Sequence, residues 1–553
     1  MIRRLSSITM PKACNNKMNS FLVVVFLFLS AISEIVTGQS IPMADSIKEK
    51  IRLYSLQNPS ATLFVHFDKN VYANNEHAWF TAYLLKNNTT AVHHTLGVGL
   101  MRNDDRSILT EGKFRIENGL AFGNLILPDS LPPGNYTFIC YTDHVINGNP
   151  SALFQQPITT KSSKTDDFVV ELILRDSINA GIDSAKVLVR AYKQDLSVVS
   201  KAAVNYFIGE RTSPLLKGKI VTDKIGEAEI KIPLKQINGA NNILQTEVSN
   251  GTDVKTFSLK LPVYKKETSV KFYPEGGNLV AGVQNLAGWE VKNNEGESLM
   301  VKAGLFENDK RISTVYTDAN GIGKFNITPQ LGNRYYVKFD DMTNNDSVYV
   351  LPSLLQDAPV LSIKNALASD TLIVELTKPK AGEQWVILIH NYHDSYLDFS
   401  IPSASKRINL KIALDEVPKG LNAITLIDAS GRPWSERIFF AHYDKKNDVK
   451  ISTDTSFYTT RQKVKLHIKI ADAQHKPVKA VFSIASVQAN RLDPKKMIDI
   501  ESYFYLKNDL SSFPYRSKIM TDDVENKEYL ETVLLVKGWR KYLWQDVYTQ
   551  TAS

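Results

Sequence analysis

The chain has 553 residues, 43% of them hydrophobic and 22% charged, with a formal net charge of +8. At roughly 100 to 150 residues per domain, that length implies several domains with their own cores, and the composition excludes wholesale disorder and a fibrous repeat. The charge is thinly spread, with no basic stripe interleaved with aromatics as a nucleic-acid groove requires, so nucleic acid is not an expected partner.

Arg3, Arg4, Lys12 and Lys17 precede the apolar run FLVVVFLFLSAI, and the small residues of VTGQS follow it. That is the order of a secretory signal, with cleavage expected near Gly38. An uncleaved anchor is the alternative, but the run is shorter than the ~20 residues a spanning helix needs, and Glu34 interrupts its far end. No later stretch is long and apolar enough to cross a bilayer as a helix. Loss of the signal removes four basic side chains and one acid, leaving +5. It also removes Cys14, so Cys140 has no disulfide partner and reads as a small buried hydrophobe in YTFICY.

After a short helical lead around DSIKEKIRLYSL, strand periodicity takes over. KVKLHIKI sends Val464, Leu466, Ile468 and Ile470 to one face and Lys463, Lys465, His467 and Lys469 to the other. Similar runs are KVLVRAY, AEIKIPL, TFSLKLPVY, SVKFYP, RYYVKF, TLIVEL, QWVILIH and NAITLID, separated by Gly, Pro, Asn and Asp. Turn signals repeat with them, as in VTDKIGEAEI and YTDANGIGKFNI. The expected fold is therefore all-β, a serial array of immunoglobulin-like antiparallel sandwiches with a short C-terminal helix. The expected organisation is a signal peptide at 1–38, a lead at 39–60, and units at 61–163, 164–265, 266–355, 356–446 and 447–553. The last includes NKEYLETVLLVKGWRKYLW, helical up to Gly538.

FVHFDKNVYANNEHAWFTAYLL, residues 64–85, concentrates His66, Asp68, Lys69, Tyr72, Glu76, His77 and Trp79. On a sandwich, TLFVHFDK and HAWFTAYLL are strands and NVYANNE is the corner between them. Asp68 and Glu76 then cap a turn and do no chemistry. The pattern resembles the second macroglobulin-like domain of the alpha-2-macroglobulin family, where Asp-Lys-x-x-Tyr-x-x-Gly-Glu is usual. This chain matches at Asp68, Lys69, Tyr72 and Glu76, and places Asn75 where glycine is usual. FYPEGGN, with Pro274, Glu275, Gly276 and Gly277, resembles the opening of a later macroglobulin-like domain. GLNAITLIDASGRPWSERIFF and FYTTRQKVKLHIKIADAQHKPVKAVFSIASV are similar to further units of bacterial members, particularly envelope proteins of the Bacteroidetes type. VLLVKGWRKYLW is similar to those in which the array precedes a TonB-dependent receptor plug. The resemblance implies macroglobulin-like sandwiches in the periplasm or at the outer membrane, and it assigns the motif residues a structural role. The family's thioester needs a Gly-Cys-Gly-Glu-Gln setting, whereas Cys140 is followed by Tyr141, Thr142, Asp143 and His144.

None of the common catalytic patterns is present, and no catalytic, cofactor-binding or metal-ligating residue is assigned. His390 and His393 in LIHNYHDSY point to opposite sides of a strand. His93 and His94 alternate likewise and read as solvated. Carboxylate pairs such as Asp104 with Asp105 and Asp166 with Asp167 lie in loops. Trp79, Trp289, Trp385 and Trp434 read as core plugs. Trp539, Arg540, Tyr542 and Trp544 form a candidate partner surface, their composition suiting recognition, with core packing of Trp539 and Trp544 as the alternative. The expectation is a non-enzymatic envelope scaffold for a protein or polymer partner, without a cofactor. Alternatives are an accessory region of a TonB-dependent receptor, a non-covalent endopeptidase inhibitor and a carbohydrate-active sandwich protein.

Overall fold

A computed structural model describes residues 42–57, 61–85, 92–103, 106–161, 168–175, 184–193, 195–234, 237, 241–251, 253–261, 268–293, 296–340, 347–401, 404–507, 509–510, 513, 519–538 and 544. The signal segment, both loop carboxylate pairs, Trp539, Arg540 and Tyr542 lie outside these. Among the described residues no helix is long and apolar enough to cross a membrane.

The alternating runs of the sequence are strands, and they build the same sandwich four times. In each unit the first, second and fifth strands form a three-stranded antiparallel sheet, and the fourth, third, sixth and seventh, in that order, form the facing sheet. In the first unit the three-stranded sheet is Thr62–Phe67, His77–Leu85 and Leu120–Ile126, and an extra strand, Val71–Ala73, joins the facing sheet in parallel beside Leu153–Lys161. The second unit pairs Val169–Leu174, Ser184–Tyr192 and Glu227–Pro233; the third, Thr268–Pro274, Asn285–Asn293 and Ile322–Ile327; the fourth, Val360–Ile363, Thr371–Thr377 and Arg407–Ala413. Each pair of sheets encloses one contiguous apolar core, because a two-residue period directs alternate side chains inward. Cys140 belongs to the first core.

In Trp385–His390 every residue is buried. Trp385, Ile387 and Ile389 face the fourth core, and Val386 and Leu388 face outward beneath Ala44, Ile47 and Ile51 of the N-terminal helix Pro42–Gln57. A sheet covered on both faces loses its polar alternation.

From residue 447 onward the described chain departs from the fifth sandwich expected there. It has one hairpin, Asp448–Thr453 paired with Leu466–Ala471, and no facing sheet among the described residues. It then runs back over the molecule as a strap with short helical turns and reaches the helix Val524–Lys537, which Gly538 terminates. Asp523 caps this helix by accepting from the Asn526 N–H. The fifth unit does not close because the apolar residues after 500 are spent elsewhere: Tyr503 fills the first core, and Leu506, Leu510, Phe513, Leu530, Val533 and Leu534 fill the fourth.

Candidate functional site: the clasp between the first unit and the strap

The corner after Thr62–Phe67 carries the charged motif. Asn75 takes the left-handed backbone (φ 57°) that the turn needs and that asparagine tolerates better than most residues. The Glu76 carboxylate caps the turn by accepting from the Ala73 N–H at 3.0 Å. The Tyr72 ring is fully buried, and its hydroxyl is shared between Asp68 Oδ1 and the Lys69 carbonyl, 2.9 Å from each. Burial, and then the Asp68 carboxylate, push that phenol well above its ordinary range, so it is a permanent donor. Lys69 lies 3.3 Å from Asp68 Oδ2 and 3.6 Å from Glu76 Oε2, with its ammonium over the Tyr72 ring. All four motif residues thus converge.

Of the four, Glu76 reaches the strap. Arg491 Nη2 donates to Glu76 Oε1 at 2.7 Å. Asn70 bonds Asp493 reciprocally, its Nδ2 donating to the carbonyl at 2.9 Å and its Oδ1 accepting from the N–H at 2.7 Å. Gln156 donates to the Lys496 carbonyl, and the Lys496 ammonium donates to Asn135 Oδ1, Thr159 Oγ1 and the Ile158 carbonyl. Burial holds that ammonium below the ordinary lysine range. His66 Nδ1 lies 2.6 Å from Ser483 Oγ, and burial pulls its imidazole below the ordinary histidine range. Tyr503 then enters the first core beside Phe64 and Phe154, its hydroxyl on the Leu153 carbonyl. Three residues later Leu506 is in the fourth core. Between the first strand and the strap a cleft of about 470 Å³ remains, lined by Phe64, His66, Gln156, Met497 and Ile498. That is the size of a small-ligand pocket.

The second motif joins the third and fourth units. Pro274 is buried, and the Glu275 carboxylate accepts from Arg437 Nε and from the Ile363 N–H, both at 3.2 Å. Gly276 (φ 74°) bridges to Glu436, and a Cβ at that position would collide with Ser435 Oγ. Gly277 (φ 97°) donates its N–H to the Pro274 carbonyl, closing the turn. Above this junction Lys537 of the C-terminal helix pairs with the buried Glu290.

The tryptophans and histidines correct several expectations. Trp544, open between a partner surface and the core, is only 5% exposed: it packs with the N-terminal helix against Val386 and Leu388, and its Nε1 donates to Glu436 at 2.7 Å. Trp79, expected in the core, is 56% exposed, because its neighbours Ala78 and Phe80 take the inward positions. Trp289 and Trp385 are buried, and Trp434 is half-buried beneath Arg432. His93, expected in solvent, is buried under Thr142, since it precedes the strand Thr95–Arg102 rather than lying on its outer face; His94 is exposed. His390 is buried in a hydrogen-bonded chain: its Nδ1 accepts from the Tyr392 N–H, its Nε2 meets Thr425 Oγ1, and that hydroxyl donates to Glu436. His393 lies in the following turn. His77 turns outward onto Asn124, away from His66 and Glu76. Among the described residues no three His, Cys, Asp or Glu side chains are placed to hold a metal ion.

Arg491, Asp493, Lys496, Arg437 and Lys537, which complete both junctions, were not singled out from sequence. Arg491 lies 415 positions from Glu76, and no local pattern links them.

No family model matches this chain, and no curated protein does. Among solved structures, native Escherichia coli alpha-2-macroglobulin is 12% identical, covering 75% of this chain and 32% of its own, at a TM-score of 0.30. Salmonella alpha-2-macroglobulin reacted with methylamine is 14% identical, covering 75% of this chain and 32% of its own, at a TM-score of 0.29. A tetra-tandem repeat from the extending region of a large adhesion protein is 10% identical, covering 69% of this chain and 99% of its own, at a TM-score of 0.17. The chain spans about a third of the length of these alpha-2-macroglobulins.

Proposed function

We propose that this chain is a non-enzymatic scaffold of the cell envelope, a macroglobulin-like array without a thioester that holds its units at fixed spacing and presents them to a protein or polymer partner. One observation carries the reading: the motif residues are spent on fastening the chain to itself. Glu76 and Asn70 hold Arg491 and Asp493, and Tyr503 and Leu506 occupy the first and fourth cores. The third and fourth units are fastened too, through the buried pair of Glu275 with Arg437. Side chains locked in this way set geometry and leave little freedom for turnover. The signal-like leader supports export.

The test has two arms. The chain is incubated with a panel of endopeptidases and passed over gel filtration; a scaffold leaves every protease free and active, whereas retention of one establishes the inhibitor reading. The same chain and its Arg491→Ala/Tyr503→Ala variant are then used as baits in envelope extracts. A spacing function predicts a partner held by the intact chain and lost by the opened one, and equal capture by both overturns it.

A second reading, the accessory region of a TonB-dependent outer-membrane receptor, is favoured by the exposed hairpin at 448–471. A reading frame running on into a plug sequence supports it, and a frame without one refutes it.

A further inference from the structure

The hairpin is the beginning of a sandwich by the chain's own pattern. In the second unit the turn after the second strand is made by the Lys193 N–H on the Ser197 carbonyl and the Val199 N–H on the Ala191 carbonyl; in the third, by Asn293 on Glu297 and Leu299 on Val291. After Leu466–Ala471 the same turn recurs, with the Asp472 N–H on the Lys476 carbonyl and the Val478 N–H on the Ile470 carbonyl. The single bridges Tyr192 to Val198, Lys292 to Ser298 and Ala471 to Pro477 match as well. Asp448–Thr453 and Leu466–Ala471 therefore stand as first and second strands.

In all four complete units a fifth strand lies on the far side of the second. Beside Leu466–Ala471 no such strand is present among the described residues. The register places Val449 opposite Ile470 and Ile451 opposite Ile468, giving one apolar face, and Lys450 opposite Lys469 and Ser452 opposite His467 on the other. In the second unit the equivalent inward residues, Val187 and Val189, are fully buried. Here Val449, Ile451 and Leu466 are 53%, 65% and 45% exposed, and Val481, Phe482 and Ile484 of the following extended run are 70%, 54% and 54% exposed. A lone two-stranded hairpin is marginal in water, and an apolar patch of this kind marks a binding surface.

Charge selects the occupant. Residues 447–488 carry seven Lys or Arg and three Asp, so a second copy brings like charge against like. In the second unit Arg190, the counterpart of Lys469, meets Glu227 of the fifth strand at 2.9 Å, whereas Lys186, the counterpart of Lys465, stands opposite Lys231. We propose that the hairpin is an unfinished sandwich that accepts, along Leu466–Ala471, an extended strand of alternating apolar and acidic residues from another polypeptide. Its apolar side chains would cover Ile468 and Ile470 and its acids would meet Lys465 and Lys469. This names the binding surface of the scaffold reading and rests on it.

The test uses the whole chain and a labelled Val-Glu-Ile-Glu-Val-Glu-Ile peptide, with the same peptide carrying lysine for glutamate as control. The acidic peptide should bind at least tenfold more tightly and slow amide exchange at 466–470. Ile451→Asp/Ile468→Asp should abolish binding, and Lys465→Glu/Lys469→Glu should reverse the preference between peptides. An unchanged thermal transition of the four units establishes that they are folded in the variants; because Ile451 and Ile468 pair directly across the hairpin, Lys465→Glu/Lys469→Glu, which leaves that apolar pair in place, decides the case if the double aspartate opens the hairpin. Equal binding of the two peptides, or none, overturns the proposal. So does a dimer in sedimentation that Ile468→Asp dissolves, or binding to phosphatidylglycerol vesicles in place of the peptide. Each of these failures leaves the scaffold reading standing, since that is decided by the protease panel and the opened clasp.

Discussion

Replacing Arg437 by methionine strands a carboxylate. Arg437 and Glu275 face each other at 3.2 Å with side chains only 6% and 3% exposed. Burial draws the guanidinium below its ordinary range, and the nearby Glu275 opposes that pull. Glu275 Oε1 takes one further hydrogen, from the Ile363 N–H, and Oε2 has no partner among the described residues. Without Arg437 the carboxylate keeps a single long bond in an apolar junction, and removing one partner of such a pair costs about 3 to 5 kcal/mol. Adding Glu275→Gln removes the charge while keeping an oxygen for Ile363, so the double variant should recover about 2 to 3 kcal/mol of that loss. Urea titration read by hydrogen exchange at 268–293 and 420–441 isolates the two units concerned, which a global curve for a multidomain chain does not. A single-variant cost below about 1 kcal/mol, or a double variant no more stable than the single, refutes the reasoning.

At the clasp, Arg491→Ala removes a half-exposed pair, so the expected loss is only about 1 kcal/mol, with faster amide exchange confined to 489–499 and residues 70–76. Gly276→Ala places a Cβ against Ser435 on a left-handed backbone; at about 1 to 3 kcal/mol for the backbone alone, the junction of the third and fourth units should melt first in calorimetry. Burial raises the Glu290 carboxyl, but Lys292 and Lys537 outweigh it and hold the group below the usual value of 4.5. Its contribution is therefore complete above that value and lost as pH falls beneath it, so protection factors in 524–537 should fall on acidification, and Lys537→Met should lessen that dependence, Lys292 still lying 2.8 Å from the carboxylate. Burial pushes the Cys140 thiol far up, so Ellman's reagent should label it only after unfolding.

The sandwiches were legible because their evidence is local. KVLVRAY and AEIKIPL show their faces by alternation alone, and both are strands, Ser184–Tyr192 and Glu227–Pro233. Asn75 and the C-terminal helix stopping at Gly538 were readable for the same reason, since turn and cap chemistry acts within a few residues. The motif at 68–76 was legible as a turn and illegible as a clasp, because Glu76 meets Arg491 across 415 positions of the chain. Composition left Trp544 open: an aromatic among cations suits a recognition surface as well as a core, and only the position of the N-terminal helix decides that it is covered. KVKLHIKI read as half-buried; Ile468 and Ile470 are partly covered, while Val464 and Leu466 are exposed because full burial depends on a facing sheet that no strand periodicity can supply.

The insertion of Tyr503 among Phe64 and Phe154 has a temporal side. During synthesis or secretion from the amino end, the first sandwich emerges more than three hundred residues before the ring that completes its interior, and must wait with an oily gap open to solvent. Maturation should thus be gated by the segment around Tyr503, and nascent chains stalled short of it should be the ones holding chaperones capture.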